Sequence, residues 1–148
     1  MRPSWDEIWM NVALEIARRS TDPRLKVGCV VVADDNTQLL ALGYNGNYAG
    51  GPEEPESNEP GQTGFLHAEE NCCIKLDYNN SKHKKMYITH SPCRMCAKRL
   101  VNAKINEVIY KDEYRDISGL DILRASGIIV RPYLVQKGIC ADESPQST

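Results

Sequence analysis

The run Lys85-Met86-Tyr87-Ile88-Thr89-His90-Ser91-Pro92-Cys93-Arg94-Met95-Cys96 decides how this chain is read. Its first half has the β-branched and aromatic content of a strand, predicted over Lys85 to His90. Pro92 then marks a helix start, where a missing N–H is tolerated, and a helix is expected from Arg94 to Ala103. A strand therefore hands two cysteines at C-x-x-C spacing to a helix. Upstream, Phe65-Leu66-His67-Ala68-Glu69-Glu70-Asn71-Cys72-Cys73 places a His-x-Glu triplet at the opening of another helix, expected over Phe65 to Tyr78. Taken together, His67, Cys93 and Cys96 supply one imidazole and two thiolates, a three-ligand set for a tetrahedral zinc ion with its fourth position open to water. Such an ion lowers the pKa of its water toward about 7. Glu69, two residues from His67, is placed to sit beside the ion without binding it and to move protons.

The competing reading is a structural knuckle or a redox pair, since a lone C-x-x-C serves either. A structural site wants a fourth Cys or His at comparable spacing. The unused residues Cys29, Cys72, Cys73, His83, His90 and Cys140 form no second C-x-x-C. Cys72 and Cys73 are the serious competitors, because they follow His67 closely on the same predicted helix.

Working outward, Ser4 to Arg19 carries Trp5, Ile8, Trp9, Val12, Ala13 and Ile16 at helical spacing, with Ser4 and Glu7 as a capping box. Ser20-Thr21-Asp22-Pro23 ends that helix. Val27 to Ala33 is apolar on both faces, as in a covered central strand. Asp34-Asp35-Asn36 turns the chain into a returning antiparallel strand, Gln38 to Tyr44. A loop of about 20 residues follows to Gly64, a length that signals function or disorder. A fourth strand is expected over Asn106 to Tyr110, a helix over Ile117 to Ser126 with Gly127 as its C′ residue, and a fifth strand over Ile128 to Leu134. A helix between strands four and five permits a parallel crossover. The fold class is α/β with a five-stranded mixed sheet, its ligand site at strand-to-helix junctions, as in open α/β sheets. One domain covers residues 1–148, with a frayed tail over 135–148.

The 148 residues suffice for one core, and the net charge of −2 argues against a broad nucleic-acid-binding surface. A small anionic substrate needs only a few placed cations, for which Arg18, Arg19, Arg24, Lys26 and Arg115 are available. No apolar run approaches the roughly 20 residues of a spanning helix, and the start lacks a signal-type apolar segment, so a cytoplasmic protein is expected. Six cysteines are too few for a disulfide scaffold and read as thiols or metal ligands.

These residues resemble the cytidine-deaminase superfamily and, within it, the deoxycytidylate (dCMP) deaminase family. The resemblance runs from Trp5 to Arg131. Beyond the zinc pattern, an H-x-E with P-C-x-x-C, it includes Arg19-Ser20-Thr21-Asp22-Pro23, Lys26-Val27-Gly28, Gly43-Tyr44-Asn45-Gly46, Asn71, Cys96-Ala97-Lys98, Ala103-Lys104-Ile105 and Tyr114-Arg115-Asp116. It implies a three-layer α/β/α fold, zinc-dependent hydrolysis of dCMP to dUMP and ammonia, and a homo-oligomer, hexamer or dimer. It further implies that Asn45 holds the sugar hydroxyl, that Arg19, Ser20 and Lys26 lie near the 5′-phosphate, and that Tyr114 closes on the nucleotide. The backbones of Ala68 and Cys93 would orient the pyrimidine. In many members the segment matching Gly43, Tyr44, Gly46 and Gly50 serves control by dCTP and dTTP. Here Asn47 to Gly51 departs from the commoner proline-containing continuation, Arg115 stands where histidine is frequent, and Glu70 to Cys73 is more polar and thiol-rich than usual.

The alternatives are deamination of another nucleobase or nucleotide, action on single-stranded nucleic acid, and a noncatalytic zinc- and nucleotide-binding subunit. A polynucleotide substrate wants a basic track or stacking aromatics, which this acidic chain with its single phenylalanine does not offer. A purely structural site would have no use for Glu69.

Overall fold

The run of valines forms β1 (Gly28–Ala33), whose six residues are all buried because its two faces feed two different cores. In the computed structural model, which describes residues 1–135, it lies inside a five-stranded sheet. The part of the expected frayed tail from residue 136 onward, Cys140 included, lies outside the described residues.

Along β1, Val30 and Val32 face Met10 and Ala13 of α1 (Trp5–Ala17), while Cys29 and Val31 face the opposite core. That second core is closed by α2 (Ala68–Lys75), α3 (Arg94–Asn102) and α4 (Ser118–Ala125). The result is the expected three layers, α/β/α. The remaining strands are β2 (Leu39–Tyr44), β3 (Lys84–His90), β4 (Glu107–Asp112) and β5 (Ile129–Pro132), in the order β2-β1-β3-β4-β5. β1 is antiparallel to both β2 and β3, and β3, β4 and β5 run parallel. The parallel β4–β5 pair is as expected, the crossover being carried by α4. Gly127 follows that helix with φ of 83°.

α2 is shorter than the expected Phe65–Tyr78. Leu76 leaves the helix with ψ of 133°, and the Asp77 carboxylate then accepts from the Asn79 N–H at 3.0 Å, a local turn that competes with another helical turn.

Two glycines set how closely the site-bearing helices approach the sheet. A Cβ on Gly43 of β2 would collide with Ala68 O and with the Cys72 N at 2.6 Å, and one on Gly119 of α4 would collide with Pro92 O and lie 2.8 Å from Cys93 O. Any larger residue would push α2 off the sheet or α4 off the Pro92–Cys93 turn.

α1 is tied down by charge as well as by apolar packing. Asp6 accepts from Arg131 Nη1 at 2.6 Å and from Tyr87 Oη at 2.7 Å, while Arg131 Nε donates to Glu107 at 2.7 Å. These groups are 14–23% exposed, so removing one partner strands charge in a largely desolvated place. Arg131→Met is expected to lower stability by about 2–3 kcal/mol, read as a lower urea midpoint at unchanged slope. A loss below about 0.5 kcal/mol, the range of ordinary surface changes, would show that the network is not stabilising.

Candidate metal centre and nucleotide pocket

Each ligand element reaches the site through a helix N-cap. His67 is the N-cap of α2, and its backbone N–H donates to Glu70 Oε1 at 2.9 Å. Cys93 is the N-cap of α3, its Sγ accepting from the Cys96 N–H at 3.5 Å. Pro92 precedes that cap. The approach to His67 is fixed from the sheet side, since Leu66 and Gly46 exchange backbone hydrogen bonds at 2.8 and 3.0 Å and Asn71 Nδ2 donates to Tyr44 O at 2.9 Å. The Gly-Tyr-Asn-Gly run thus builds the metal site: Gly43 admits α2, and Gly46 pairs with the residue before its first ligand.

His67 Nδ1 lies 3.7 Å from Cys93 Sγ and 3.2 Å from Cys96 Sγ. Bonds of roughly 2.0 Å to nitrogen and 2.3 Å to sulfur around a tetrahedral ion put N and S about 3.5 Å apart, so the donors already sit near zinc spacing. Among the described residues this is the one group of three or more potential ligands that converges. Of the two competitors, Cys72 is fully buried in the core with Cys29 and Cys73 packs against that core, and neither is in the converging group.

The charges fit a cation too. The Cys93 thiol is held down at about 3, first by the hydrogen bond from Cys96 and then by His67, whose imidazole is raised by the same contact. Cys96, the donor in that bond and buried, is pushed up. Two sulfurs that share one proton are both free to ionise once a divalent cation stands between them. Glu69 is 4% exposed, and burial raises its carboxyl to about 7.

A cavity of about 520 Å³ opens over this triad. His67, Ala68, Glu69 and Cys93 form part of its wall, along with Asn45, Asp22, Arg24, His90, Ser91, Tyr114 and Arg115. Asn45, Ala68 and Tyr114 therefore share one cavity wall. Arg19, Ser20 and Lys26 are not on its wall. Arg19 stacks over the Tyr44 ring at 6.0 Å, Ser20 is 3% exposed and accepts from the Asp22 N–H, and Lys26 is exposed elsewhere. The cations at the cavity are Arg24, whose guanidinium donates to Asn58 O at 3.1 Å, and Arg115, which lies over the Tyr114 ring at 5.5 Å. Asn45 spends both amide protons internally, on Asp22 Oδ2 at 3.2 Å and Leu25 O at 2.9 Å, and accepts from the Val27 N–H at 2.8 Å. Its first task is to shape the wall. His90 and Ser91 were not assigned to the pocket from sequence. Their position just before Pro92-Cys93 was the available signal, for a strand end beside a ligand faces the same crevice. Burial lowers the His90 imidazole, so it favours the neutral form.

Residues 3–112 match the cytidine and deoxycytidylate deaminase zinc-binding region. The chain belongs to this family. It is 33% identical over 147 residues to the deoxycytidylate deaminase of Saccharomyces cerevisiae, covering 90% of this chain and 46% of that one. It is 33% identical over 121 residues to the human deoxycytidylate deaminase, covering 76% and 67%. The chain spans about half the length of the yeast relatives it matches. Among solved structures, the dCMP deaminase of cyanophage S-TIM5 in complex with dCMP and dUMP superposes with a TM-score of 0.79 at 33% identity, covering 90% of this chain and 99% of that one. The family's zinc fits His67, Cys93 and Cys96 in this chain, on the spacing and charge of the three donors.

Proposed function

We propose that the chain catalyses hydrolytic deamination of dCMP to dUMP and ammonia. The observation that carries this reading is the buried carboxyl of Glu69 beside the His67, Cys93 and Cys96 donors, on the wall of a nucleotide-sized cavity that also holds two arginines. A zinc ion bound there supplies Lewis acidity and makes water a nucleophile at neutral pH. Glu69 accepts one proton of the attacking water as its oxygen bonds to the amino-bearing carbon, passes that proton to the adjacent ring nitrogen, and then takes the second proton from the new hydroxyl and gives it to the departing amine. The C–N bond breaks, the C–O bond becomes the new carbonyl, and one water is consumed for each ammonia released. Ala68, fully buried at the start of α2, offers backbone to the pyrimidine edge. Asn45 and Asp22 shape the sugar side, and Tyr114 closes the opening.

The 5′-phosphate is assigned to Arg24 and Arg115 in place of Arg19, Ser20 and Lys26, because only the first two arginines border the cavity. Free thiols at Cys29, Cys72, Cys73, Cys93 and Cys96 accord with a reducing, cytoplasmic setting. No helix among the described residues is long and apolar enough to cross a membrane. A homo-oligomer is part of the reading, supported by Ile74 of α2 and Met95 of α3, exposed at 74% and 56%.

The test is ammonia release from dCMP, CMP, deoxycytidine, cytosine, guanine and adenosine, with zinc measured on the same sample. Turnover centred on dCMP supports the assignment. A zinc-loaded protein silent on dCMP but active on another substrate replaces it. Within the same panel, Arg115→Ala and Arg24→Ala are each expected to raise KM for dCMP about tenfold, the scale of one charge-assisted hydrogen bond. Deoxycytidine kinetics should be unchanged, and equal losses on both compounds would remove the arginines from the phosphate site.

A further inference from the structure

α2 and α3 deliver the metal ligands separately, and one guanidinium lies between the two helices. Arg99 follows Cys96 by three residues on α3, so the two share a helix face. Its Nη2 is 3.3 Å from Glu70 Oε2 on α2, and its Nη1 directs an N–H at Cys96 Sγ across 3.9 Å. The other Glu70 oxygen, Oε1, accepts the His67 backbone N–H at 2.9 Å. A chain of contacts therefore runs from the His67 backbone through Glu70 and Arg99 to the Cys96 sulfur. It joins two ligand residues by a route outside the triangle of their donor atoms. Arg99 also brings positive charge to a place where Glu69, Glu70 and two thiol sulfurs concentrate negative charge.

We propose that Arg99 is a positioning residue of the metal centre: with Glu70 it straps the two ligand-bearing helix ends at one spacing and donates to the Cys96 thiolate. This rests on the assignment of His67, Cys93 and Cys96 as zinc ligands. The Arg99 side chain is 41% exposed, and an ion pair that open to water adds little to folding. Its effect belongs instead in metal retention, where partners outside the ligand shell change affinity by about 10- to 100-fold. The strap is also specific to the pairing of a carboxylate on α2 with a guanidinium on α3; neither residue achieves it alone.

The experiment loads the full chain and its Arg99→Met, Glu70→Gln and double variants with zinc and follows its loss to a chromogenic chelator. Thermal unfolding of the chelator-treated proteins and the thiolate-to-metal absorption band of cobalt-loaded samples are measured alongside. Zinc release is expected to be about tenfold faster in each single variant and no faster in the double, with a shifted cobalt band. Arg99→Lys, which keeps the charge but loses the fork, should fall between wild type and Arg99→Met. Midpoints of the chelator-treated proteins should agree within about 2 °C. Release at the wild-type rate in both single variants would overturn the strap, and so would a loss of midpoint that fully accounts for faster release. A wild-type chain that takes up no zinc would overturn the ligand assignment and the strap with it.

Discussion

Glu69→Gln is expected to reduce kcat on dCMP by about a thousandfold or more while the protein keeps its zinc. Glutamine preserves the volume of a side chain that is 4% exposed, so packing against the site is retained. It removes the carboxyl proposed to carry protons, and general acid–base catalysis contributes roughly 10²- to 10⁴-fold. The upper part of that range is expected because the proposed mechanism uses the same carboxyl twice, first on the attacking water and then on the departing amine. The metal should stay, since Glu69 is not among the converging donors His67, Cys93 and Cys96. Zinc content by elemental analysis and steady-state kinetics on one preparation settle the matter. Activity within tenfold of wild type would remove Glu69 from the proton path; loss of zinc together with activity would make it a ligand.

The metal centre was legible in the sequence because its parts are local. Two cysteines at C-x-x-C spacing after a strand and a His-x-Glu at a helix start each fix their geometry within one turn of backbone, and the fold had only to bring two helix ends together. The sheet was legible for the same reason: Val27 to Ala33 is apolar on both faces, which requires layers on both sides, and Lys85 to His90 carries the β-branched and aromatic content of a strand. The phosphate side was not. Arg24 reaches Asn58 O and Thr21 Oγ1 reaches Glu53 O, so the loop between Asn47 and Gly64 folds back over the α1–β1 turn through contacts more than 30 residues apart in sequence. No periodicity reports such contacts, and the choice of Arg24 and Arg115 over Arg19 and Lys26 depends on them. Asn45 shows another limit. Its place in the Gly-Tyr-Asn-Gly run marks it as a pocket residue, but Asp22 and Leu25, some 20 residues away in sequence, already take both of its amide protons. The Glu70–Arg99 strap was hidden likewise, because its partners lie on different helices.

Cys96→Ser should remove the metal and much of the stability in one step, in contrast to Glu69→Gln. Cys96 is fully buried in the first turn of α3, and its sulfur is 3.2 Å from His67 Nδ1. Serine nearly preserves the shape but offers a hydroxyl that is a far poorer zinc donor than thiolate, leaving two good ligands. A metal that binds only the folded chain stabilises it by about 4 kcal/mol when free metal exceeds Kd a thousandfold. At roughly 2–4 °C per kcal/mol for a chain of this size, the midpoint should fall on the order of 10 °C. Chelator should bring wild type down toward the same midpoint and leave Cys96→Ser unmoved, because the variant has no metal left to lose. Cys72→Ala supplies the control. That thiol is equally buried but lies outside the donor triangle, so the variant should lose some core packing and still bind one zinc per chain. If Cys96→Ser retained zinc while Cys72→Ala lost it, the third ligand would have to be moved from α3 to α2. The ligand set would then no longer be the His67, Cys93 and Cys96 group that borders the cavity, and the deaminase reading would fall with it.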